Sequence, residues 1–133
     1  MTRLSAHFVS AELACRHCGR LDGKVVPELL VGLEALRASA YAITGLVIAS
    51  GYRCAEHNRA VGGAAQSQHV LRAAADVPLR VTLAHVRELQ AFSGIGWQVV
   101  GGRRLVRHVD VRHASSSNPT GGTVADPTTW SYG

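Results

Sequence analysis

The pair Gly101–Gly102 constrains this chain more than any other feature. On one side lies "IGWQVV", residues 95–100, and on the other "RRLVRHVDVR", residues 103–112. Both runs are rich in β-branched residues. A two-residue glycine link between such runs predicts a tight hairpin, because that turn needs backbone angles glycine adopts freely. A chain with a hairpin here must build a sheet and cover one of its faces. Pro27 opens a stretch to Ala40 in which Leu29, Leu30, Leu33 and Leu36 fall on one stripe, which reads as a helix with proline in its first turn. A shorter helix is expected near the start, with Ser10 as N-cap, Glu12 in the first turn and Phe8 packing back as a staple. Another should run from Thr82 to about Phe92, with Leu83, Val86 and Leu89 on one face. "GLVIAS", residues 45–50, reads as a buried strand, and "AAADVPL" as a short strand ended by Pro78. Between them "GYRCAEHNRAVGGAAQ" has the composition of a structured loop with one helical turn. From about residue 113 the Ser, Thr, Gly and Pro content predicts an irregular tail, tied to the body by Trp130 and Tyr132. The order of elements predicts an α+β fold, a small antiparallel sheet packed against helices, in one domain spanning residues 1–133.

Composition narrows the class. With 47% hydrophobic and 17% charged residues in 133, the chain can bury a real core and is not a disordered polymer. No apolar run approaches the ~20 residues of a membrane span, and the first residues, "MTRLSAHFVSAELACRHCGR", lack the apolar segment of a secretory signal. The formal charge of +5 favours a polyanionic partner. The basic residues are scattered without interleaved aromatics, so nucleic acid is not the expected partner. A monomer is expected.

The chemistry gathers in two stretches. "SQHVLRAAAD" sets His69 seven residues ahead of Asp76 in an otherwise small and apolar run, and "RHVDVR" holds His108 and Asp110 two apart. On a strand, positions i and i+2 share a face, so both could address one pocket while His113, of opposite parity, points away. His69, Asp76 and His108 together offer two imidazoles and a carboxylate. Catalytic zinc sites typically use three such donors and leave a fourth position open. Asp110 beside them is the candidate to take a proton from the attacking water, or else to orient an imidazole. Seven histidines in 133 residues will often produce some His/Asp grouping, so the residues alone do not decide.

"SGYRCAEHNRAVGGAAQSQHVLRAAADV" resembles the core of the zinc D-alanyl-D-alanine carboxypeptidase family, peptidoglycan metallopeptidases of phage and bacteria whose fold is shared by hedgehog signalling domains. The family's motifs are matched by Ser50 to Arg53, Asn58 with Val61 to Gly63, Ser67 to Asp76, and His108 to Asp110. The closing "WSYG" is also similar to the end of small single-domain members, so the resemblance covers nearly the whole chain. It implies a hedgehog/DD-peptidase-like fold and one catalytic Zn2+ held by His69, Asp76 and His108. Arg53 would grip a peptide carboxylate or steady the oxyanion, and Ser67 would order the ligand loop or the substrate. The implied function is hydrolysis of peptidoglycan stem or cross-link peptides, as a D,D-carboxypeptidase or as an endopeptidase of the phage-lysin kind. The alternative is a catalytically silent relative that binds cell-wall peptide or a protein. Without a signal segment, the expectation is synthesis in the cytoplasm followed by phage-type release, or carriage on a virion. One departure stands out: Arg72 occupies the place where the motif has glycine. It must either adopt an ordinary backbone conformation or cost stability, and it could bring positive charge to the metal.

Cys15 and Cys18 form a C-x-x-C, and Cys54 precedes His57 by three. Those four have the composition and local spacings of a structural zinc site, a second ion. The alternatives are a disulfide from Cys54 to one of the other two, or three reduced thiols packed as small apolar groups. His17 between the two cysteines is expected to be exposed, and His7 and His85 to be solvated or hydrogen-bonded. Trp97 is read as core in preference to a substrate platform. Arg103, Arg104 and Arg107 are read either as a solvated strand edge or as an attraction for acidic wall groups.

Overall fold

The computed structural model describes residues 2–64, 67–118 and 121–132. In chain order its elements are α1 (Ser10–Leu13), α2 (Pro27–Ala40), α3 (Ala55–Ala60), β1 (Ala74–Asp76), α4 (Leu83–Leu89), β2 (Gly94–Val100), β3 (Arg103–Asp110), a 3-10 turn (Arg112–Ala114) and β4 (Thr128–Ser131). The fold is α+β, four helices against one four-stranded sheet of order β1-β3-β2-β4.

The β2–β3 hairpin forms around Gly101 and Gly102, whose φ angles of 58° and 76° meet the requirement of the tight turn. β1 joins the other edge of β3, antiparallel, with Asp76 across from His108 and Ala74 across from Asp110. The sheet is mixed rather than purely antiparallel, because β4 returns alongside β2 in parallel. Residues 128–131, expected to be irregular, form this strand: the Thr-Thr-Trp run suits a half-buried sheet edge. Between Gly96 and Trp97 the register slips, Gly96 facing His108 and Trp97 facing Val106, so Arg107 is an extra residue in β3. Such a bulge re-aims the side chains around it.

One expected strand is not there. Residues 45–50 form no strand and make only a single bridge, Ser50 with Asp76. Asp76 N–H donates to Ser50 O (2.7 Å) and Ala49 N–H to Asp76 O (2.9 Å), and no ladder extends beyond them. Val47 is 68% exposed, so the segment crosses the end of β1 with only part of its apolar run buried.

Leu29, Leu33 and Leu36 of α2 are buried and Leu30 half-buried, and Gly32 lets α2 close onto Phe92, since a Cβ there would sit 2.6 Å from the ring. The N-cap of α1 is Val9, not Ser10. Glu12 accepts the Val9 N–H (2.8 Å), while Ser10 Oγ accepts from Thr2 N–H (2.9 Å). Thr82 caps α4, its Oγ1 accepting from His85 N–H (3.2 Å), and α4 ends earlier than expected, at Leu89, because Gln90 turns left-handed with φ 51°. Phe8, Leu13, Tyr41, Ile95, Val106, Val109 and Val111 complete the core between helices and sheet. Trp97 is half-buried against it and carries the Arg104 guanidinium 4.9 Å from its ring centre.

Candidate metal centre and cleft

Strand pairing brings two of the expected residues together. Asp76 ends β1 and His108 lies directly opposite on β3, so their side chains meet as a cross-strand pair. His69 arrives from the turn before β1, pinned at its backbone by Arg53 N–H donating to His69 O (3.2 Å). Ser67 Oγ accepts the His69 N–H (3.3 Å) and helps to order that turn.

Asp76 Oδ1 lies 3.2 Å from His69 Nε2 and 3.2 Å from His108 Nδ1, and the two imidazoles meet edge to face with centres 5.1 Å apart. Tautomers follow from the remaining ring nitrogens. His69 Nδ1 is 2.7 Å from Gly51 O, a carbonyl that only accepts, so that nitrogen carries the proton. His108 Nε2 is 2.8 Å from Asp110 Oδ2, a carboxylate oxygen, so it also donates. In the neutral rings, the two nitrogens facing Asp76 therefore present lone pairs to a carboxylate oxygen. A cation between them relieves that clash. Zinc bonds of ~2.0–2.1 Å at tetrahedral angles set donors about 3.3 Å apart, close to the spacings found. The donor set fits zinc, and hydrogen-bonded off-site nitrogens are the usual partners of metal-bound imidazoles.

Asp110 is fully buried. Its Oδ1 accepts from Arg112 backbone N–H (3.1 Å) and Nε (2.9 Å), and its Oδ2 from Arg112 Nη2 (2.7 Å) as well as from His108. Burial pushes its carboxyl up, but Arg112 and His108 outweigh that and hold it down at about 2. Burial likewise opposes ionisation of Asp76, and His108 and His69 more than offset it, so its carboxyl lies well below the usual range. For His108 burial favours the neutral ring, yet Asp110 and Asp76 together raise its pKa.

Two glycines clear this face of the sheet. Gly94 stands across from Asp110 and Gly96 across from His108. A Cβ at Gly94 would overlap the Asp110 carboxylate, and one at Gly96 would meet Tyr132 at 2.5 Å and Trp130 at 2.9 Å.

His69, Asp76 and His108 open onto a cleft of about 490 Å³. Arg53, Arg107 and Arg112 line it, together with Ser67, Gln68, Trp130 and Tyr132. Arg53 Nη1 donates to Asn58 Oδ1 (3.2 Å), and Asn58 Nδ2 to Ala64 O (2.8 Å). Gly63 is seated against the Asn58 side chain with no space for a Cβ, which accounts for the glycine beside that asparagine. The Arg107 guanidinium lies 4.4 Å from the Tyr132 ring centre and that of Arg112 5.0 Å from Trp130, a cation–π rim. Gln68 is 6% exposed; its Nε2 donates to Ser117 O (2.8 Å), while its Oε1 has no partner among the described residues.

A family model for peptidase M15 matches residues 6–110. The chain belongs to the peptidase M15 family. It is thereby a member of a metallopeptidase family whose peptidases are zinc-dependent. No curated protein matches it. The matched segment ends at Asp110, so the wall of the cleft made by Arg112, Trp130 and Tyr132 lies beyond it. No helix among the described residues is long and apolar enough to cross a membrane.

Residues outside the cleft fall elsewhere. Arg72 does not line it: its Nε donates to Lys24 O (3.0 Å), and its φ of 59° is left-handed. The expected charge at the metal is therefore not delivered, and the backbone cost is. Arg103 and Arg104 sit exposed by the hairpin turn, away from Arg107. His113 is exposed with Nδ1 2.6 Å from Ser93 Oγ, His85 Nε2 is 3.0 Å from Ser39 Oγ, and His7 Nδ1 is 2.7 Å from Glu34 Oε1. Cys15, Cys18 and Cys54 are free thiols close to one another, beside a stacked pair of rings from His17 and His57. Gln68 and Arg112 were not singled out from sequence. The signal available for Gln68 was its place between Ser67 and His69, and for Arg112 its i+2 spacing from Asp110.

Proposed function

We propose that this chain is a zinc-dependent peptidase that hydrolyses peptidoglycan stem or cross-link peptides, with His69, Asp76 and His108 as its metal ligands. The observation that carries the reading is the convergence of two imidazole lone pairs on one Asp76 oxygen, each at 3.2 Å, inside an arginine-lined cleft. Zinc bound there supplies Lewis-acid chemistry, acidifying a water and polarising the scissile carbonyl. The chain's own residues bind the peptide and shield it. Arg53 and Arg107 bind the carboxylates of an acidic stem peptide. The unpartnered Gln68 Oε1 accepts a substrate N–H, which removes the penalty of a buried unsatisfied acceptor. Trp130 and Tyr132 shield the reacting bond from bulk water. Of the two roles expected for Asp110, proton acceptor or orienter of an imidazole, the second is the better supported: it is buried and fully engaged, does not line the cleft, and fixes the His108 tautomer.

A specific observation favours a second reading, a relative that binds wall peptide without cutting it. Among the described residues lining the cleft, Asp76 is the one acid, and it belongs to the ligand set. Mass spectrometry of defined muropeptides, monomeric and cross-linked, separates the two. Incubation with zinc-loaded protein should release a terminal D-alanine or cut a stem or cross-link, and a chelated control should not. No product from a sample verified to hold zinc, together with retained peptide binding, would establish the binding module.

A further inference from the structure

Away from the cleft, the segment between α1 and α2 raises a separate question. Residues 14–26 carry neither helix nor strand, yet Cys15 is 2% exposed and the segment folds back against the Gly51–Cys54 loop. Tyr52 N–H donates to Leu13 O (2.8 Å), and a Cβ at Gly51 would meet the Leu13 backbone at 2.8 Å. At this junction Cys15, Tyr52 and Cys54 form a small cluster of their own with Cys18 and Leu21 beside it, distinct from the main core.

The three sulfurs lie within 4.8 Å of one another. Four ligands at zinc–sulfur distances of ~2.3 Å would hold sulfurs about 3.8 Å apart, so closure needs only a small contraction. The sulfurs are also surrounded by amide donors. Cys15 Sγ accepts from Cys54 N–H (3.5 Å). Cys54 Sγ accepts from His57 N–H (3.4 Å). In the second half the chain turns so that the amide three residues on points back at the sulfur, and that residue, His57, is itself a metal-binding type; the first half places Cys18 at the same spacing from Cys15. Three sulfurs this close, with amide donors on two of them, form a ready set of metal ligands. A disulfide would use two of the three sulfurs and leave one over. Apolar packing gives no reason for the amide donors.

We infer that Cys15, Cys18, Cys54 and His57 form a second zinc site, structural and independent of the one in the cleft. His57 supplies the fourth donor by a side-chain rotation away from the His17 ring, on which it stacks with centres 5.2 Å apart. Half-buried His57 is chosen over His17, which is exposed. Such an ion staples an otherwise irregular segment. It also braces the loop whose Gly51 O holds His69 and whose Arg53 lines the cleft.

The test uses the full chain, purified under reducing conditions and loaded with cobalt in place of zinc. Thiolate ligation gives intense sulfur-to-cobalt charge-transfer absorption in the near ultraviolet, which a site of nitrogen and oxygen donors lacks. The cobalt form should show those bands. Zinc analysis should find two ions per chain in the wild type and one in a variant carrying His69→Ala, Asp76→Ala and His108→Ala. Adding Cys15→Ser and Cys54→Ser should remove the last ion and the bands. His57→Ala should weaken cobalt binding at least tenfold, His57→Cys should retain it with a shifted spectrum, and His17→Ala should leave it unchanged. Wild-type protein without charge-transfer bands would overturn the proposal, as would a thiol titration finding a disulfide. Neither result depends on whether the chain cuts peptidoglycan.

Discussion

Asp76 faces His108 across two antiparallel strands, and its Oδ1 lies 3.2 Å from that imidazole's Nδ1. The pair belongs to the sheet, not to a loop, so two of the three proposed ligands are set by backbone hydrogen bonds. His69 is the one that comes from a turn, and it is held by Gly51 O and Ser67 Oγ.

Removing any one donor should therefore abolish the chemistry without unfolding the chain. His69→Ala, Asp76→Ala and His108→Ala are each expected to lower peptide hydrolysis at least about a hundredfold, beyond the effect of typical outer-shell changes. The far-ultraviolet circular dichroism should be retained. Full activity in any of the three, measured on purified muropeptides, would remove that residue from the ligand set.

Asp110→Asn separates positioning from proton transfer. If Asp110 fixes the His108 tautomer, the variant should bind zinc about 10–100-fold more weakly and recover most of its turnover when zinc is raised. A proton acceptor would behave in the opposite way, with zinc affinity kept and turnover lost at saturating metal. Zinc titration alongside rates at saturating zinc gives the answer.

Arg72 holds a left-handed φ of 59°, which disfavours a residue with a Cβ by about 1–2 kcal/mol. Glycine relieves that strain but loses the bond to Lys24 O and adds freedom to the unfolded chain. Arg72→Gly should thus stabilise by up to about 1 kcal/mol, a rise of a few degrees in Tm, with hydrolysis unchanged. A lower Tm in thermal unfolding would show that the side-chain contact outweighs the strain.

Glu34 ties the N-terminal segment to α2 by accepting from Ser5 Oγ (2.6 Å) and His7 N–H (2.7 Å). Partial burial raises its carboxyl, and the hydrogen bonds from Ser5 and His7 more than offset this, leaving it below its ordinary value. With a depressed folded pKa, its contribution is fully present above the unfolded value of ~4.3. It is lost as pH falls through the folded one. Stability of Glu34→Gln relative to wild type should be lowest near neutrality, with the gap narrowing as pH drops below about 4. A gap constant between neutrality and acid in urea titrations would rule the carboxylate out as its source.

Local chemistry was legible before the structure. Gly101–Gly102 announced the hairpin, the leucine stripe announced α2, and the order of His69, Asp76 and His108 pointed to one site. What stayed hidden depends on long-range register. Nothing within "GLVIAS" says that its pairing would stop at one bridge, from Ser50 to Asp76. Nothing in the Ser- and Gly-rich tail says that Thr128–Ser131 would lie parallel to β2, although the β-branched pair before Trp130 was a usable hint. The i+2 spacing of His108 and Asp110 is enough to bring their side chains together, but that Asp110 is bound by Arg112 and does not line the cleft follows only from packing.

Gly94 and Gly96 suggest how relatives of this chain could be sorted. Ligand residues can persist in a protein whose site has closed, since histidine and aspartate also serve as ordinary hydrogen-bonding groups. A side chain at the first position cannot coexist with the present Asp110 carboxylate, nor one at the second with Tyr132 and Trp130 where they stand. In a set of homologues, a bulky residue at those two chemically inert positions would mark loss of the cleft even where every reactive residue was still in place.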